Sequence, residues 1–186
     1  MDEHGGDPAR LPSPPLAPEQ QLTLRPARPE DLDAFFEQQL DPEAQHMAAF
    51  TRPVDDREAF RTQWEPRLNS DQNIVRTIWF EGEIAGYVLS YYNAEDKRTE
   101  VAYWLGKNYW GRGIAARALR AFIEAEFPAQ TLYARAAKDN VRSLRVLEKC
   151  GFTTAGEQTG FAHARGRETA EYVLRREPDH STPAGL

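Results

Sequence analysis

The 186-residue chain has few of the residues from which disulfides and metal centres are built. Its single cysteine, Cys150, can form neither an intrachain disulfide nor a cysteine-based zinc site. Its four histidines are scattered, at positions 4, 46, 163 and 180. These scarcities disfavour both a metalloenzyme and a secreted domain held together by disulfides, and we expect no metal site.

Long apolar runs are also missing. No segment approaches the roughly 18 apolar residues of a membrane-spanning helix, and no apolar stretch flanked by basic residues marks a secretion signal. We therefore expect a cytoplasmic protein without a membrane partner. Residues 1–20 are rich in proline, and residues 177–186 are similarly poor in apolar side chains. The composition predicts two disordered tails around one domain at 21–176.

An overall excess of positive charge is absent as well. The formal net charge is −6, which argues against general nucleic-acid binding. The charges are unevenly distributed, because residues 106–150 hold nine basic and four acidic side chains, whereas residues 1–105 hold ten basic and twenty acidic ones. This asymmetry favours one anionic ligand at the basic segment and a cationic partner near the acidic half.

Apolar spacing in the first third of the chain predicts a strand and two helices. The strand begins at Leu22 and the first helix at Pro29. A weaker helical pattern begins at Asp55 and is interrupted by Pro66. Between the two helices, residues 43–54 are typical of a loop or a frayed helix.

The rest of the chain alternates between strands and helices. Residues 73–105 have the pattern of a three-stranded antiparallel meander, and a glycine loop then leads into a helix with one apolar stripe. A strand from Thr131, a helix closed by Gly151 and two final strands, "FTTAGEQ" and "TAEYVLRR", complete the order. The pattern predicts a single α/β domain.

The stretch "YWLGKNYWGRGIAARALRAF", residues 103–122, joins a strand to a helix through Gly111 and Gly113. Unpaired N–H groups at a helix N-terminus attract oxyanions, and glycines let an anion approach the backbone. A nucleotide-hydrolysing loop needs Lys and Ser or Thr after its last glycine, where this chain has Ile114 and Ala115.

Two ligand classes remain for this loop. Gly111, Gly113 and Ala116 fit a dinucleotide fingerprint, but that motif opens a parallel βαβ unit, whereas an antiparallel meander precedes it here. Coenzyme A needs the same cradle for its pyrophosphate, and its pantetheine arm can pair with the edge of the preceding strand. The layout favours coenzyme A and leaves a dinucleotide-binding enzyme as the remote alternative.

Two motifs lie in this half of the chain, "WGRGIA" at 110–115 and "DNVRSLRVLEKCGF" at 139–152. They resemble those of the GNAT family of acetyl-CoA-dependent N-acetyltransferases. Its loop has Gln or Arg, two residues, Gly, one residue, then Gly or Ala, and Trp110 stands here where Gln or Arg is usual. Its later helix opens on Asn and closes on Gly-Phe. With "YWLG" at 103–106, the motifs look most like the ribosomal-protein N-terminal acetyltransferase branch.

The resemblance implies an acyl-CoA N-acyltransferase fold with a central, mostly antiparallel sheet that splays at the cofactor site and about four flanking helices. It also implies acetyl-CoA as cosubstrate, with its pyrophosphate on the N–H groups of the glycine loop and its pantetheine arm beside the preceding strand. The implied cofactor-binding residues are Trp104, Leu105, Gly106, Trp110, Gly111, Arg112, Gly113, Ile114, Ala115, Asn140 and Ser143. For Asn140, a simple helix N-cap is the alternative role.

The resemblance further implies direct attack of a neutral primary amine on the thioester, through a tetrahedral intermediate. Glu100 is the implied proton acceptor, and we expect a cleft beside its strand to raise its pKa. The alternative is an exposed glutamate paired with Arg98. The general acid of many family members is a Tyr that this chain replaces by Leu147, and a Glu of another branch is replaced by Arg135. Either the thiolate leaves unprotonated or a nearby hydroxyl, as on Tyr103 or Tyr109, substitutes.

Candidate acceptor-binding residues are His46, Tyr91 and His163. We expect the acceptor to enter over the acidic N-terminal helices and a loop at 159–168, and the charge there favours a protein N-terminus or a small cationic amine. The rival from another class is a non-enzymatic acyl-CoA-binding module. We expect no nucleic-acid partner, and a monomer or a homodimer.

Overall fold

The computed structural model describes residues 22–53 and 55–178 of the chain. The predicted tail at 1–20 and the residues from 179 of the second tail lie outside this description. In chain order the strands are β1 (Leu22–Pro26), β2 (Ile74–Phe80), β3 (Glu83–Asn93), β4 (Arg98–Leu105), β5 (Leu132–Ala137), β6 (Thr153–Ala162) and β7 (Arg167–Arg176). They form one sheet in the order β1-β2-β3-β4-β5-β7-β6.

The helices are α1 (Leu32–Gln39), α2 (Pro42–Ala48), α3 (Arg57–Leu68), α4 (Ile114–Glu126) and α5 (Val141–Lys149), with short 3-10 turns at Pro29–Asp31 and Lys107–Tyr109. Helix α2 corrects the prediction of a loop or frayed helix at 43–54. It begins on Pro42, and the Asp41 carboxylate accepts a hydrogen bond from the Ala44 N–H at 2.9 Å.

Helix α3 runs through Pro66 without interruption, which corrects the predicted break. Pro66 lies in the last turn, so its missing N–H removes one hydrogen bond near the end of the helix rather than in its middle. Phe60 and Trp64, both at most 2% exposed, hold the preceding turns against the sheet. Burial of these aromatic side chains therefore outweighs the local cost of the proline.

The sheet is mostly antiparallel, and its one parallel pair is where it opens. Strands β1 to β4 pair antiparallel in sequence, as do β5 with β7 and β7 with β6. Strand β4 pairs with β5 in parallel at a single position, Glu100 opposite Tyr133. Beyond that pair the two strands diverge. The predicted α/β fold with a splayed sheet is confirmed.

Strands β6 and β7 are longer than the sequence pattern predicted. The segment 159–168, expected as a loop over the acceptor site, consists of the last residues of β6, a four-residue turn and the first residues of β7. Register pairs continue out to Ala162 opposite Arg167. The hydrogen bonds between β6 and β7 therefore extend into residues 159–168. The mixed polar and apolar composition of this segment gave no strand pattern in the sequence.

Two apolar layers cover the sheet. Helices α4 and α5 bury Leu119, Phe122 and Leu147 against one face, and helices α1 and α3 bury Phe35 and Trp64 against the other. Within the described residues, no helix is long and apolar enough to cross a membrane. The helices thus leave open the wedge between β4 and β5.

Gly86 sets the approach of β3 to β4 just before β4 enters the glycine loop. The register of β2 and β3 shifts at this place, between Ile78 and Trp79. A Cβ atom at position 86 would lie 2.0 Å from the backbone oxygen of Trp104. Because that neighbour is backbone, it cannot rotate away, and only glycine fits without displacing β4.

We expect Gly86→Ala to lower the free energy of unfolding by roughly 1–3 kcal/mol, the range typical of overpacking. Chemical denaturation of the two proteins measures this difference. Gly156→Ala is the matched control, because a Cβ there meets no atom within 4 Å. Equal losses in both variants would contradict the steric explanation.

Candidate active site

A cavity of about 650 Å³ opens where β4 and β5 diverge. Residues 101–105 of β4 line one side and residues 134–137 of β5 the other. Helices α2 and α3 contribute residues at one end, and Asn140, Arg142 and Ser143 contribute at the start of α5. Because the strands pair only at Glu100 and Tyr133, the wedge between them is left for a ligand, and its volume is that of a small-molecule site.

The end of β4 turns backbone groups toward this wedge. The Gly106 N–H donates to the Ala85 carbonyl of β3 at 2.9 Å, so the neighbouring pair, Leu105 opposite Gly86, is a non-hydrogen-bonded pair. The N–H and C=O of Leu105 therefore face away from β3. The carbonyl accepts a hydrogen bond from the Trp110 indole N–H at 2.8 Å. The N–H on the same side can serve an incoming oxygen.

The helix that follows the glycine loop has a glycine at its N-cap, so the N-cap residue offers no side chain to the first N–H groups. Gly113 is the N-cap of α4 with φ 73°, in the left-handed region where glycine is favoured, and it makes no side-chain hydrogen bond. A Cβ at Gly111 or Gly113 would meet no atom within 4 Å. Ile114 and Ala115 bury their side chains in the core. An anion can therefore approach the backbone here, which fits a pyrophosphate.

Trp110 stands where the family's loop pattern has Gln or Arg, and Arg142 supplies a positive charge beside it. The Arg142 guanidinium lies over the Trp110 ring, 4.3 Å from its centre, and both residues line the cavity. Arg112, predicted to bind the cofactor, pairs with Glu81 and lies over the Phe80 ring. At the loop end of the cavity, the positive charge thus comes from Arg142 of α5 rather than from Arg112.

Asn140 acts as the helix N-cap that the sequence offered as its alternative role. Its Oδ1 accepts a hydrogen bond from the Ser143 N–H at 3.1 Å. Its Nδ2 donates to the Met47 carbonyl at 2.9 Å, which ties the end of α2 to the start of α5. The side chain therefore shapes the cavity wall, and its two polar atoms are already occupied.

Tyr103 and Ser143 form a hydroxyl pair on the cavity wall. The Tyr103 hydroxyl donates to Ser143 Oγ at 3.1 Å, and burial raises the pKa of Tyr103 to about 12. Tyr103 therefore keeps its proton near neutral pH, and the Ser143 proton is free to be donated elsewhere. Tyr109, the other tyrosine considered, donates to Glu83 and does not line the cavity.

Glu100 lies behind the cavity wall and binds four neighbours. Its side chain is 1% exposed. Oε2 accepts hydrogen bonds from the Tyr91 hydroxyl at 2.6 Å and from Arg135 at 2.9 Å. Oε1 accepts from Asn93 and Arg98, both at 2.9 Å. Both carboxylate oxygens are therefore occupied, and Glu100 does not line the cavity.

The expectation of a raised pKa at Glu100 is wrong. Burial by itself raises the pKa, but hydrogen bonds from Tyr91 and Asn93 and the positive charge of Arg135 outweigh it and lower the pKa below its usual range. The pairing with Arg98 that the sequence offered as the alternative is present, but it is buried rather than exposed, and Arg135 also binds the carboxylate. Glu100 is a charged link between β4 and β5.

Glu171 on β7 is a carboxylate that the sequence analysis missed. It is 2% exposed and lines the cavity. Its Oε1 accepts a hydrogen bond from Gln158 at 2.6 Å and lies 3.5 Å from Arg135 Nη1. Its position in the strand could have indicated this. Side chains alternate along a strand, so Glu171 points to the same buried side as Thr169 and Val173, where an acid is unusual.

The predicted acceptor residues divide between the cavity and the surface. Tyr91 and His163 line the cavity, whereas His46 is exposed on α2 and only its carbonyl is engaged, by Arg165. Among the described residues, none of the acidic side chains before residue 106, which favoured a cationic acceptor, lines the cavity. Asp33 of α1, for example, pairs with Arg57 and Arg61 of α3.

Comparison with known proteins places the chain in a family. Residues 21–153 match the family model of the acetyltransferase (GNAT) domain, so the chain belongs to this family. It is therefore an acyltransferase with acetyl-CoA as its cosubstrate, as the sequence analysis predicted. Within the described residues, no three His, Cys, Asp or Glu side chains are grouped as metal ligands.

Individual relatives are distant. The chain is 28% identical over 169 residues to an uncharacterized N-acetyltransferase, p20, of Bacillus licheniformis, a match that covers 85% of this chain and 95% of the relative. Its structure resembles spermidine N-acetyltransferase from Vibrio cholerae in complex with CoA and spermine, with a TM-score of 0.74, 17% identity and coverage of 84% and 95%. It also resembles a ribosomal L7/L12 alpha-N-protein acetyltransferase in complex with coenzyme A, with a TM-score of 0.73, 20% identity and coverage of 89% and 97%. At these identities the two structures share the fold.

We expect Glu100→Gln to lower the free energy of unfolding by roughly 1.5–3 kcal/mol at neutral pH, because it removes a charge that binds two arginines. The folded-state pKa is lowered from 4.5, so the contribution is fully present above about pH 4.5 and is lost as the pH falls through the folded pKa. Denaturation at several pH values should therefore show the two proteins converging in acid. A difference that grew in acid would contradict the lowered pKa.

Proposed function

We propose that the protein transfers the acetyl group of acetyl-CoA to a primary amine by direct attack, without a covalent enzyme intermediate. The observation that carries the proposal is the cavity between β4 and β5, which one strand connects directly to a helix N-terminus whose N-cap is a glycine. This arrangement offers a strand edge for the pantetheine arm and a cradle for its pyrophosphate. It brings a thioester and an amine together, and positioning of this kind can lower a barrier by about 7–11 kcal/mol.

In this proposal, backbone groups hold the donor. The N–H groups of residues 111–115 bind the pyrophosphate, and Arg142 on Trp110 adds positive charge beside it. The end of β4 pairs with the pantetheine arm, and the Leu105 N–H receives the thioester oxygen as negative charge develops on it. Asn140 supports this site by holding the start of α5.

We propose Glu171, rather than Glu100, as the proton acceptor. The amine nitrogen attacks the thioester carbon, and its proton passes to Glu171, directly or through a water molecule. Glu171 faces the cavity with Oε1 bound by Gln158, whereas both oxygens of Glu100 are occupied by four donors. Glu100 then acts as a positioning residue, because it orients Arg135 beside Glu171.

The Ser143 hydroxyl is our candidate for the general acid. As the carbon–sulfur bond breaks, the thiolate accepts the Ser143 proton, and the hydrogen bond from Tyr103 offsets the negative charge left on Oγ. Leu147, at the place of the usual tyrosine, lines the cavity without a polar group. The Ser143 hydroxyl, one turn earlier on α5, and the Tyr103 hydroxyl of β4 thus take the place of the missing tyrosine.

The family match favours the enzyme over a non-enzymatic acyl-CoA-binding module and over a dinucleotide-binding enzyme. We further propose the ribosomal-protein N-terminal acetyltransferase branch, which the motifs at 103–115 and 139–152 support. A cytoplasmic location, the absence of a nucleic-acid partner, and a monomer or homodimer remain predictions from the sequence. The expectation of a protein N-terminus or a cationic amine as acceptor came from the acidic half of the chain, and among its described residues no carboxylate lines the cavity.

Glu171→Gln should reduce kcat/KM for amine acetylation on the order of 100-fold, because the proton acceptor is lost while the shape is kept. CoA release with a panel of primary amines measures this. Acetyl-CoA at 100 times its Kd should stabilise both proteins by about 2.7 kcal/mol, which shows an intact donor site. A loss in Glu100→Gln alone would return the role of proton acceptor to Glu100.

Ser143→Ala should lower kcat by about 100-fold and leave the Kd of acetyl-CoA nearly unchanged, because only the hydroxyl is removed. The N-cap survives, since Asn140 binds the backbone N–H of residue 143. Tyr103→Phe keeps the Ser143 hydroxyl and should cause a smaller loss. Stopped-flow or steady-state thiol release separates the two. A kcat equal to wild type in the Ser143 variant would exclude it as the acid.

A further inference from the structure

The charges along the cavity are opposite to those of the chain as a whole. Although the net charge of the sequence is −6, the side chains that line the cavity include four arginines and a single carboxylate, Glu171. The arginines are Arg52, Arg67, Arg135 and Arg142. A concave site of one sign concentrates ligands of the other sign, so the cavity favours anions.

Two of these arginines are already assigned. Arg135 is bound by Glu100 and lies beside Glu171, so its charge is balanced within the protein. Arg142 lies over Trp110 next to the glycine loop, at the donor end of the cavity. Arg142 is therefore placed to bind the phosphates of the donor, whereas Arg52 and Arg67 have no assigned role.

Arg52 and Arg67 lie at the other end, on the α2–α3 side. Among the described residues, no carboxylate forms an ion pair with either of them. Arg67 is on α3 with its guanidinium 5.3 Å from the centre of the Trp64 ring. Arg57 and Arg61 of the same helix differ, because both pair with Asp33 outside the cavity. Helix α3 thus turns a guanidinium without an acidic partner toward the cavity.

The surroundings of Arg67 suit an oxyanion. Its positive charge acts on the buried Tyr87, where it opposes the rise in pKa that burial causes. The neighbouring lining consists of neutral amides, Gln39, Gln63 and Asn73, and of aromatic rings. Amide N–H groups and a planar guanidinium bind carboxylate and phosphoryl oxygens, whereas a cation placed there would meet two like charges.

We propose that the acceptor is a small primary amine that also carries an oxyanion, either a carboxylate or a phosphoryl group, which binds Arg67 and Arg52 while the amine faces Glu171. This inference rests on the proposed function, since it names the acceptor of the same cavity. It replaces the cationic acceptor expected from the sequence, because no acidic side chain among the described residues before 106 lines the cavity.

The first test compares matched acceptors at saturating acetyl-CoA, with CoA release as the readout. One arm uses glycine, β-alanine and L-glutamate, a second uses aminomethylphosphonate and 2-aminoethylphosphonate, and the controls are glycinamide, β-alaninamide and spermidine. One of the two anionic arms should exceed the controls in kcat/KM by about tenfold or more, the worth of one charge-assisted contact. Which arm leads identifies the oxyanion as a carboxylate or a phosphoryl group.

The second test uses Arg67→Gln, with Arg61→Gln as the matched control on the same helix. Arg67→Gln should lower kcat/KM for the preferred anionic amine by about tenfold or more and change that for its neutral counterpart little. Arg61→Gln should change neither, because Arg57 still pairs with Asp33. Arg67→Lys should keep part of the preference.

Each outcome separates this inference from the proposed function. Faster turnover of spermidine or of the amides would overturn the anionic acceptor and leave the acetyltransferase intact. An unchanged preference in Arg67→Gln would also overturn it. Stabilisation by acetyl-CoA without CoA release for any amine would overturn the proposed function and, with it, the inference.

Discussion

The parting of β4 from β5 is the constraint on which the rest of this structure depends. A parallel pair held at one position, Glu100 opposite Tyr133, leaves the backbone groups of the following residues of β4 and β5 without a partner strand on the side that faces the wedge. Such groups need hydrogen bonds, so the wedge is suited to a ligand with amide groups of its own. Strand β4 then leads into the glycine loop, and the same opening reaches the N-terminus of α4.

Electrostatics maintain the opening. Glu100 of β4 binds Arg135 of β5 from behind the cavity wall, and Tyr91 and Arg98 complete the environment of its carboxylate. A buried charge that lost one of these partners would destabilise the fold, so the network holds the two strands at the point from which they diverge. On the cavity side, Arg135 reaches Glu171 of β7. Arg135 therefore links the buried carboxylate of Glu100 to the carboxylate of Glu171, which lines the cavity.

Local sequence patterns predicted most of the fold. They failed where the structure depends on contacts between residues far apart in the sequence. The meander, the glycine loop and α5 were predictable because apolar periodicity and glycine positions act over a few residues. The lowered pKa of Glu100 was not predicted, because the hydrogen bonds and the positive charge that cause it come from residues up to 35 positions away. The continuity of α3 through Pro66 depends on burial of Phe60 and Trp64, which local propensity does not contain.

The sequence by itself determined the family and, apart from α2, the order of strands and helices, since both are encoded in short runs of adjacent residues. It also predicted which loop would bind a diphosphate. The tertiary structure alone decided which charges meet in the cavity. Glu171 faces inward because β7 pairs with β5. Among the described residues no carboxylate forms an ion pair with Arg67, whereas Arg57 and Arg61 of the same helix pair with Asp33. The energy of a charge depends on the groups that lie near it in space. Those neighbours are known only once the strands are paired and the helices are packed on the sheet.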